Sequence, residues 1–339
     1  MCPQCQSVAT IRKGIRRGKL KFQCQDCEKY FQINRKAYKR VSLRSHLSGM
    51  SYRTLAREHE VSVGKAWQQT QVAIKALPHC FDVTREYCGH YPGILLVDGK
   101  YLRVEPEERK IPVVYGVDYL THDIPGYRLC PSENYPSLKR FFASLKLAGY
   151  PLIALVCDDN RNIYQACLAV YPKAIIQLCT KHFVSGIYDT LDVRNNPQYG
   201  QLVSGIAEIF DHRRSLLDIE RLARKLYQVW ERDERAHYTL LELARKLPLL
   251  TGYINYPHVP LTTNLIEGLN SHLETRLTGI RKFQSFRTAD DWLNAYFLKR
   301  RLTPFTDCAK KFRRLNGTTS IEHVLNDKTK LEQLKRLIR

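Results

Sequence analysis

Short, unbroken apolar runs mark the middle of the chain. Residues 94–97 and 152–157 are apolar throughout, and each run stops at an acidic residue, Asp98 and Asp158. Runs of this kind, bounded by turn residues and lacking polar alternation, suit parallel-type strands buried on both faces. With their neighbours they predict an antiparallel meander over 94–97, 102–104, 113–119 and 127–129, turning at Glu105-Pro-Glu-Glu and His122-Asp-Ile-Pro-Gly126. A helix is predicted at 135–147, a strand at 152–157, a helix at 163–170 stopped by Pro172, and a strand at 174–178. From 183 to 255 strand character is lost, and 202–210, 216–227 and 238–247 repeat at helical period with no candidate site residues. Residues 261–273 read as a further helix, capped by Thr262 or Thr263 and bearing Glu267.

The first part of the chain is patterned differently. Residues 19–23 and 30–33 read as short strands, and 41–77 as short helices, with Leu43, Leu47, Leu55 and Ala56 inside, Gly49 at a turn and Ser51 as an N-cap. Ser62 caps a second helix through Val63, Ala66, Trp67, Val72 and Ile74, with Trp67 assigned to the core. Residues 78–92 read as a linker. Its His79, Cys80, Cys88 and His90 match no common zinc spacing.

Two kinds of chemistry stand on this framework. Asp98, Asp158 and Glu267, two carboxylates at strand ends and one on a helix, make a hard-oxygen site for magnesium or manganese, suited to in-line phosphoryl transfer. Acidic residues at strand ends are also common without function, so the neighbouring motifs carry the weight. Asp118 and Asp123 are assigned to turn chemistry. Strand alternation does not choose between Asp158 and Asp159, because both faces of that strand are apolar. At the N-terminus, Cys2 and Cys5 pair with Cys24 and Cys27 as two C-x-x-C units with 18 residues between them, the spacing of a four-thiolate structural zinc in a zinc ribbon. Arg12, Lys13, Arg16 and Arg17 on that hairpin are candidate phosphate contacts. The stretch from Gly49 to Ala66 resembles a helix-turn-helix whose second helix offers Ser62, Gly64, Lys65 and Gln68 to a major groove; a small helical bundle is the plainer alternative.

Taken as a set, the Val-Asp98-Gly, the Asp158 with Tyr171-Pro172 downstream, the Gln177-Leu-Cys179-x-x-His182 and the Thr262-Thr-Asn264-x-x-Glu267-Gly resemble bacterial insertion-sequence transposases of the Mutator-like DDE superfamily. The resemblance runs from about residue 93 to 300. It implies a ribonuclease-H-like catalytic core, matching the predicted meander followed by alternating helix and strand, with the triad on Asp98, Asp158 and Glu267 and an all-helical insertion over about 183–255. It selects Asp158 as the second ligand, leaving Asp159 at the turn, free to cap the next helix or to bind a metal through water. Cys179 and His182 follow a core strand at a C-x-x-H spacing that permits metal binding or, without a second pair nearby, a packing or hydrogen-bonding role at the edge of the active site; Asn264, Asn270 and Arg276 lie near Glu267, placed to orient the carboxylate or hold DNA. Two positions depart from the family pattern: Asp159 where glycine is usual, and Thr180 where tryptophan is common.

Composition fixes the partner. The net charge is +21 over 339 residues. Residues 1–80 carry 16 Lys and Arg against 4 Asp and Glu, residues 281–339 carry 15 against 6, and the middle is balanced. Basic ends around a neutral block imply a polyanion held by phosphate contacts; no lipidation signal or strongly apolar helix points to a membrane surface. The sequence predicts a cytoplasmic, nucleoid-associated bacterial protein, since it lacks an eighteen-residue apolar stretch and a leader, and its eleven cysteines belong to a reducing compartment.

The expected architecture is α/β, in five parts: a zinc ribbon (1–38), a helix-turn-helix domain (39–78), a linker (79–92), the ribonuclease-H-like domain (93–300) and a basic helical C-terminal segment (301–339). The expected function is a DNA transposase that binds the terminal inverted repeats of its element and performs metal-dependent hydrolysis and strand transfer into target DNA. It would act as a homodimer or larger synaptic assembly, with Mg²⁺ or Mn²⁺ in catalysis and Zn²⁺ in structure. The alternatives are a non-catalytic DNA-binding regulator, or a nuclease on the same fold that does not join strands.

Overall fold

Few apolar residues lie near the N-terminus, and they support only a small sheet. Strands β1 (Thr10–Arg16), β2 (Lys19–Cys24) and β3 (Tyr30–Asn34) pair as antiparallel neighbours in that order. Phe22 and Phe31 lie opposite each other in register and stack at 5.7 Å between ring centroids. The β1–β2 register shifts between Arg12 and Ile15, where Gly14 takes a φ of +99°, a bulge conformation that favours glycine. These features belong to a computed structural model that describes residues 1–16, 19–34 and 41–338. Arg17, a candidate phosphate contact, lies outside the described residues.

The chain divides into two compact units, residues 1–46 with 50–72, and residues 47–49 with 73 onward. Helices α1 (Leu43–Leu47), α2 (Tyr52–Glu58) and α3 (Val63–Lys75) follow the small sheet. Ser51 caps α2 by accepting from the Thr54 amide, and Ser62 caps α3 by accepting from the Lys65 amide at 3.2 Å. Val41, Leu55, Ala56 and Ala66 form the core of this part, with Met50, Tyr52 and Val61 packed on it. Trp67, expected in the core, is 51% exposed. The buried stripe of α3 runs through Ala66, Thr70 and Ile74 at helical spacing, so the adjacent Trp67 falls outside it.

The second unit opens with a helix where the sequence suggested a linker. Helix α4 (Cys80–Tyr87) is capped by His79 and buries Cys80, Val83 and Thr84. Strands β4 (Ile94–Leu102), β5 (Ile111–Asp118), β6 (Gly126–Leu129), β7 (Ala154–Cys157) and β8 (Ile175–Leu178) form one sheet in the order β6-β5-β4-β7-β8. β4, β5 and β6 are antiparallel, whereas β4, β7 and β8 run parallel. The two expected strands at 94–97 and 102–104 are largely one, because β5 pairs with β4 without a break from Leu95 to Leu102. Asp98 therefore lies within a strand and not at its end.

Helices α5 (Tyr135–Leu147) and α6 (Arg161–Val170) make the crossovers, capped by Asn134 and Asn160. Leu138, Phe141, Phe142 and Leu145 bury one face of α5 at helical spacing. The region expected to be all-helical holds α7 (Thr180–Thr190), α8 (Gly200–Phe210), α9 (Leu216–Trp230), α10 (Glu234–Leu250) and α11 (Gly252–Asn255), with no strand among the described residues. Its return to the sheet is pinned by buried Gln177 of β8. That side chain donates to the Leu250 carbonyl at 2.8 Å and accepts from the Tyr253 amide at 3.0 Å.

Helix α12 (Asn264–Ile280) carries Glu267, and α13 (Phe286–Arg301) is buried along most of its length. The C-terminal segment is less helical than expected, with three short 3₁₀ turns before α14 (Leu331–Arg336). It buries Ile321, Val324, Leu325 and Leu334 as part of this unit. Among the described residues, no helix is long and apolar enough to cross a membrane.

Candidate active site

The register of the parallel strands sets the geometry. Ile94, Leu95 and Leu96 of β4 pair with Ala154, Leu155 and Val156 of β7. Continuing two residues along each chain brings Asp98 alongside Asp158, one position past the end of β7, with the two side chains on one face. Burial pushes the Asp98 carboxyl up to about 6; the Gly99 amide opposes this, and the charge of Asp158 adds to it. Burial likewise raises Asp158, against the charge of His182 and the Asn160 backbone. Among the described residues no Lys or Arg pairs with either carboxylate, and Asp158 Oδ1 is buried with no hydrogen-bond partner. Asp98 is held firmly by comparison. Its Oδ1 accepts from the Gly99 amide at 2.7 Å, and its Oδ2 accepts from Asn270 Nδ2 at 2.6 Å. Tyr115, directly opposite Asp98 in β5, donates its hydroxyl to Asn270 Oδ1 at 2.8 Å. Further along the same helix, Lys100 of β4 pairs with Glu274. Helix α12 is thus fastened to the strand that carries Asp98.

Glu267 stands one turn before Asn270 in different company. Thr263, at the N-cap position of α12, makes no side-chain cap and instead donates its hydroxyl to Glu267 Oε1 at 2.9 Å. Lys181 Nζ lies 3.4 Å from Glu267 Oε2, and His182 Nε2 lies 3.8 Å from Oε1. The possible ligand atoms of Cys179, His182 and Glu267 all fall within 4.8 Å of one another, a group that Asp98 and Asp158 do not join. The hydrogen bond to Cys179 moves His182 up to about 9 against its partial burial, with the charges of Cys179, Glu267 and Asp158 adding. Burial would raise Cys179, but its hydrogen bonds with His182 and Thr263 outweigh it and leave the thiol below its ordinary value. Cys179 and His182 thus shift each other in opposite directions, and the charge of His182 acts on both Asp158 and Glu267. Thr180 fixes the pair by donating its amide to the Leu261 carbonyl at 3.0 Å, just ahead of α12.

Other expected positions separate cleanly. Asp159 does not cap α6, a task Asn160 performs; it pairs with Lys246 of α10, which also reaches Glu242 at 2.8 Å. Asn264 is exposed and does not reach the carboxylates. It lines a separate cavity of about 640 Å³ together with Gly268 and His272, on a different stripe of α12 from Glu267 and Asn270. One residue near the aspartates had no motif to announce it. Glu133, in the connection before α5, accepts from the Tyr101 hydroxyl at 2.8 Å and from Asn160 Nδ2 at 3.1 Å. The available signal was its position, a carboxylate in a strand-to-helix turn between the two aspartates.

In the first unit, the ligand atoms of Cys2, Cys5, Cys24 and Cys27 also lie within 4.8 Å of one another. The Cys2–Cys27 and Cys5–Cys24 sulfurs are 3.6 and 3.4 Å apart, near the spacing that four thiolates about 2.3 Å from one ion would take and far longer than a disulfide. Backbone contacts from Cys27 and Asp26 help hold Cys24 down to about 6, favouring the thiolate. Arg12, Lys13 and Arg16 are exposed along β1, and Ser62, Gly64 and Gln68 are exposed at the start of α3, with Lys65 half-buried among them.

The family described as "Transposase, Mutator family" matches residues 16–297. The transposase for insertion sequence element IS256 in transposon Tn4001 from Staphylococcus aureus is 24% identical over 280 residues, 79% of this chain and 71% of that protein. The protein of the same description from Enterococcus faecalis (strain ATCC 700802 / V583) matches to the same extent. Among solved structures, the Mos1 transposase paired-end complex with left transposon end aligns with 66% of this chain and 82% of its own, at 12% identity and a TM-score of 0.20. The family match spans both the cysteine-framed unit's helices and the sheet bearing Asp98 and Asp158, and on it the chain belongs to the Mutator family of transposases.

Proposed function

We propose that this transposase cuts and joins DNA through Asp98, Asp158 and Glu267, on a ribonuclease-H-like core, after binding the terminal inverted repeats of its own element. The observation that carries the reading is the placement of Asp98 beside Asp158, both raised by burial, both without a Lys or Arg partner among the described residues, and one with an orphaned buried oxygen. Two crowded carboxylates in this state fit a hard divalent cation such as Mg²⁺ or Mn²⁺. Such an ion, when bound, supplies Lewis-acid stabilisation of the phosphoryl oxygens. The protein's part is orientation: Asn270, Tyr115 and the Gly99 amide hold Asp98 in one geometry. His182 and Lys181 offer positive charge to the incoming phosphate beside Glu267. The soft donors Cys179 and His182 support Glu267 through this polar network, and Thr263 holds it in place by donating its hydroxyl.

For the first unit we propose a structural Zn²⁺ at Cys2, Cys5, Cys24 and Cys27, with Arg12, Lys13, Arg16, Arg17, Ser62, Lys65 and Gln68 at the DNA. The exposure of the N-terminal end of α3 supports major-groove contact as in a helix-turn-helix. Because two ends must be brought together, the working form is a homodimer or larger assembly. Two experiments test this reading. Incubation of the protein with a duplex carrying the element end and Mg²⁺ or Mn²⁺ should give a nick at the end and a joined product. Absence of any metal-dependent cleavage would refute the catalytic reading. Cys24→Ser should lose one zinc per chain by elemental analysis and weaken end binding; unchanged zinc content would overturn the ribbon.

A further inference from the structure

We propose that Glu133 is a positioning residue of this same site, clamping the strand segments that carry Asp98 and Asp158 and adding its charge to theirs so that the pair binds a divalent cation more tightly. The inference rests on the metal-dependent reading above and assigns a role to a residue outside the Asp-Asp-Glu set. The geometry is a bridge. Glu133 Oε2 accepts from Tyr101, three residues beyond Asp98 on β4, and Oε1 accepts from Asn160, two residues beyond Asp158. Asn160 is itself fixed, since its Oδ1 accepts from the Asn162 amide at 3.0 Å and caps α6. One carboxylate therefore links strand β4 to the loop that follows β7, beyond the short β4–β7 ladder.

Gly99 supplies an independent observation. A Cβ at this position would lie 2.9 Å from Glu133 Oε2, while the backbone there is not in the left-handed region. The glycine after Asp98 leaves room for the approach of the Glu133 carboxylate and does not serve a left-handed turn. Burial raises Glu133, with the Asp158 charge adding and the bonds from Tyr101 and Asn160 opposing. Among the described residues no Lys or Arg neutralises it. A neutral amide can join the same two segments once the Tyr101 hydroxyl turns to accept, whereas a third negative charge beside two aspartates is useful when a cation is to be held.

The test uses the full chain, with Mn²⁺ alone as the probe, read by calorimetry or by the free-ion electron paramagnetic resonance signal without DNA. Glu133→Gln keeps the size and removes the charge. Gly99→Ala keeps the charge and displaces the carboxylate, because the atom met is the far end of a flexible side chain. Outer partners of metal ligands commonly change affinity by about 10–100-fold. Glu133→Gln should weaken Mn²⁺ binding within that range and Gly99→Ala by less, with the thermal midpoint and binding to end DNA retained. In cleavage, higher Mn²⁺ should restore much of the lost rate. Normal Mn²⁺ affinity in a folded Glu133→Gln protein overturns the proposal, and so does misfolding of both variants, which would make the residue purely structural. Asp158→Asn separates the two readings. If Asp158→Asn loses Mn²⁺ and Glu133→Gln does not, only this inference falls; if Mn²⁺ binding survives Asp158→Asn, the metal site itself is misassigned.

Discussion

Two groups of buried carboxylates in the second unit are treated in opposite ways. Asp123 lies fully buried against fully buried Arg301, which reaches it through Nε at 3.1 Å and Nη2 at 2.8 Å. The remaining guanidinium donors go to Thr84, the Cys80 carbonyl, Tyr91 and Cys88, and Asp123 further accepts from Tyr91 and Ser320. Cys80 and Cys88 thus find their use around an arginine. Asp123, expected to serve only a turn, ties α4, α13 and the C-terminal segment together. Asp98 and Asp158 are less deeply buried, yet among the described residues no Lys or Arg pairs with them and one oxygen is left bare. A fold that needs a buried charge only for structure satisfies it internally; carboxylates left crowded and unpaired are kept for something that arrives later.

The comparison is broken most severely by removing the charge from the unpaired group. Asp98→Asn or Asp158→Asn should reduce metal-dependent end cleavage by about 10³-fold or more, since each ligand supports several kcal/mol of transition-state stabilisation. Glu267→Gln should follow. Far-ultraviolet circular dichroism and end-DNA binding should stay those of the wild type. Wild-type cleavage rates in Asp158→Asn would mean that the unpaired group is as structural as the paired one.

Next in size is the paired group. Arg301→Met leaves Asp123 buried without its cation and should destabilise the unit by about 3–5 kcal/mol, read from urea unfolding. Replacing both partners, as Asp123→Leu with Arg301→Met, should recover a substantial part of that loss, although Tyr91 and Ser320 then lose an acceptor. A single variant with unchanged stability would remove the contrast.

These groups differ also in how far the sequence exposed them. The zinc-type cysteines and the strands ending near Asp158 were legible because their signals are local: a C-x-x-C spacing, or an apolar run with its caps. Asp123 and Arg301 are 178 residues apart, and nothing in either neighbourhood names the other. Glu133 was silent for the same reason, since its meaning comes from Tyr101 and Asn160. The linker reading of 78–92 failed because paired prolines and polar residues outweighed the apolar stripe of Cys80, Val83 and Thr84, which is buried only by distant partners. Alternation along one strand could not choose between Asp158 and Asp159. The β4–β7 register, continued two residues past Leu96 and Val156, puts Asp158 rather than Asp159 alongside Asp98.

A smaller effect sharpens the comparison in the metal-free protein. Asp98 has a folded value of about 6 against an ordinary 3.8, so the native state binds more protons than the unfolded chain between those limits. Stability therefore falls as pH rises from about 4 to 6 and stays lower above, the reverse of a salt-bridged aspartate. Asp98→Asn removes this penalty and should stabilise the metal-free protein at pH 7.5 by on the order of 1–3 kcal/mol while eliminating cleavage. Mn²⁺ affinity of the wild type should rise as pH passes about 6. A less stable Asp98→Asn at that pH would mean that the bonds from Gly99 and Asn270 outweigh the cost of the buried charge.

The smallest effect is expected at Asp159, one residue from the unpaired group but belonging with the paired one. Its carboxylate meets Lys246, which Glu242 also engages on the same helix, so that loss of one partner leaves the lysine with another. Ion pairs that keep some solvent contact, as this one does, contribute about 0–1 kcal/mol. Asp159→Asn should accordingly unfold within about 1 kcal/mol of the wild type and keep most of its cleavage activity at saturating Mn²⁺. Lys246→Ala should match it, because both changes release α10 from the loop that follows β7 without touching Asp158. If Asp159→Asn instead abolished cleavage while Lys246→Ala did not, the carboxylate would act on the metal directly, and the boundary between the two kinds of acidic residue would have to be moved by one position.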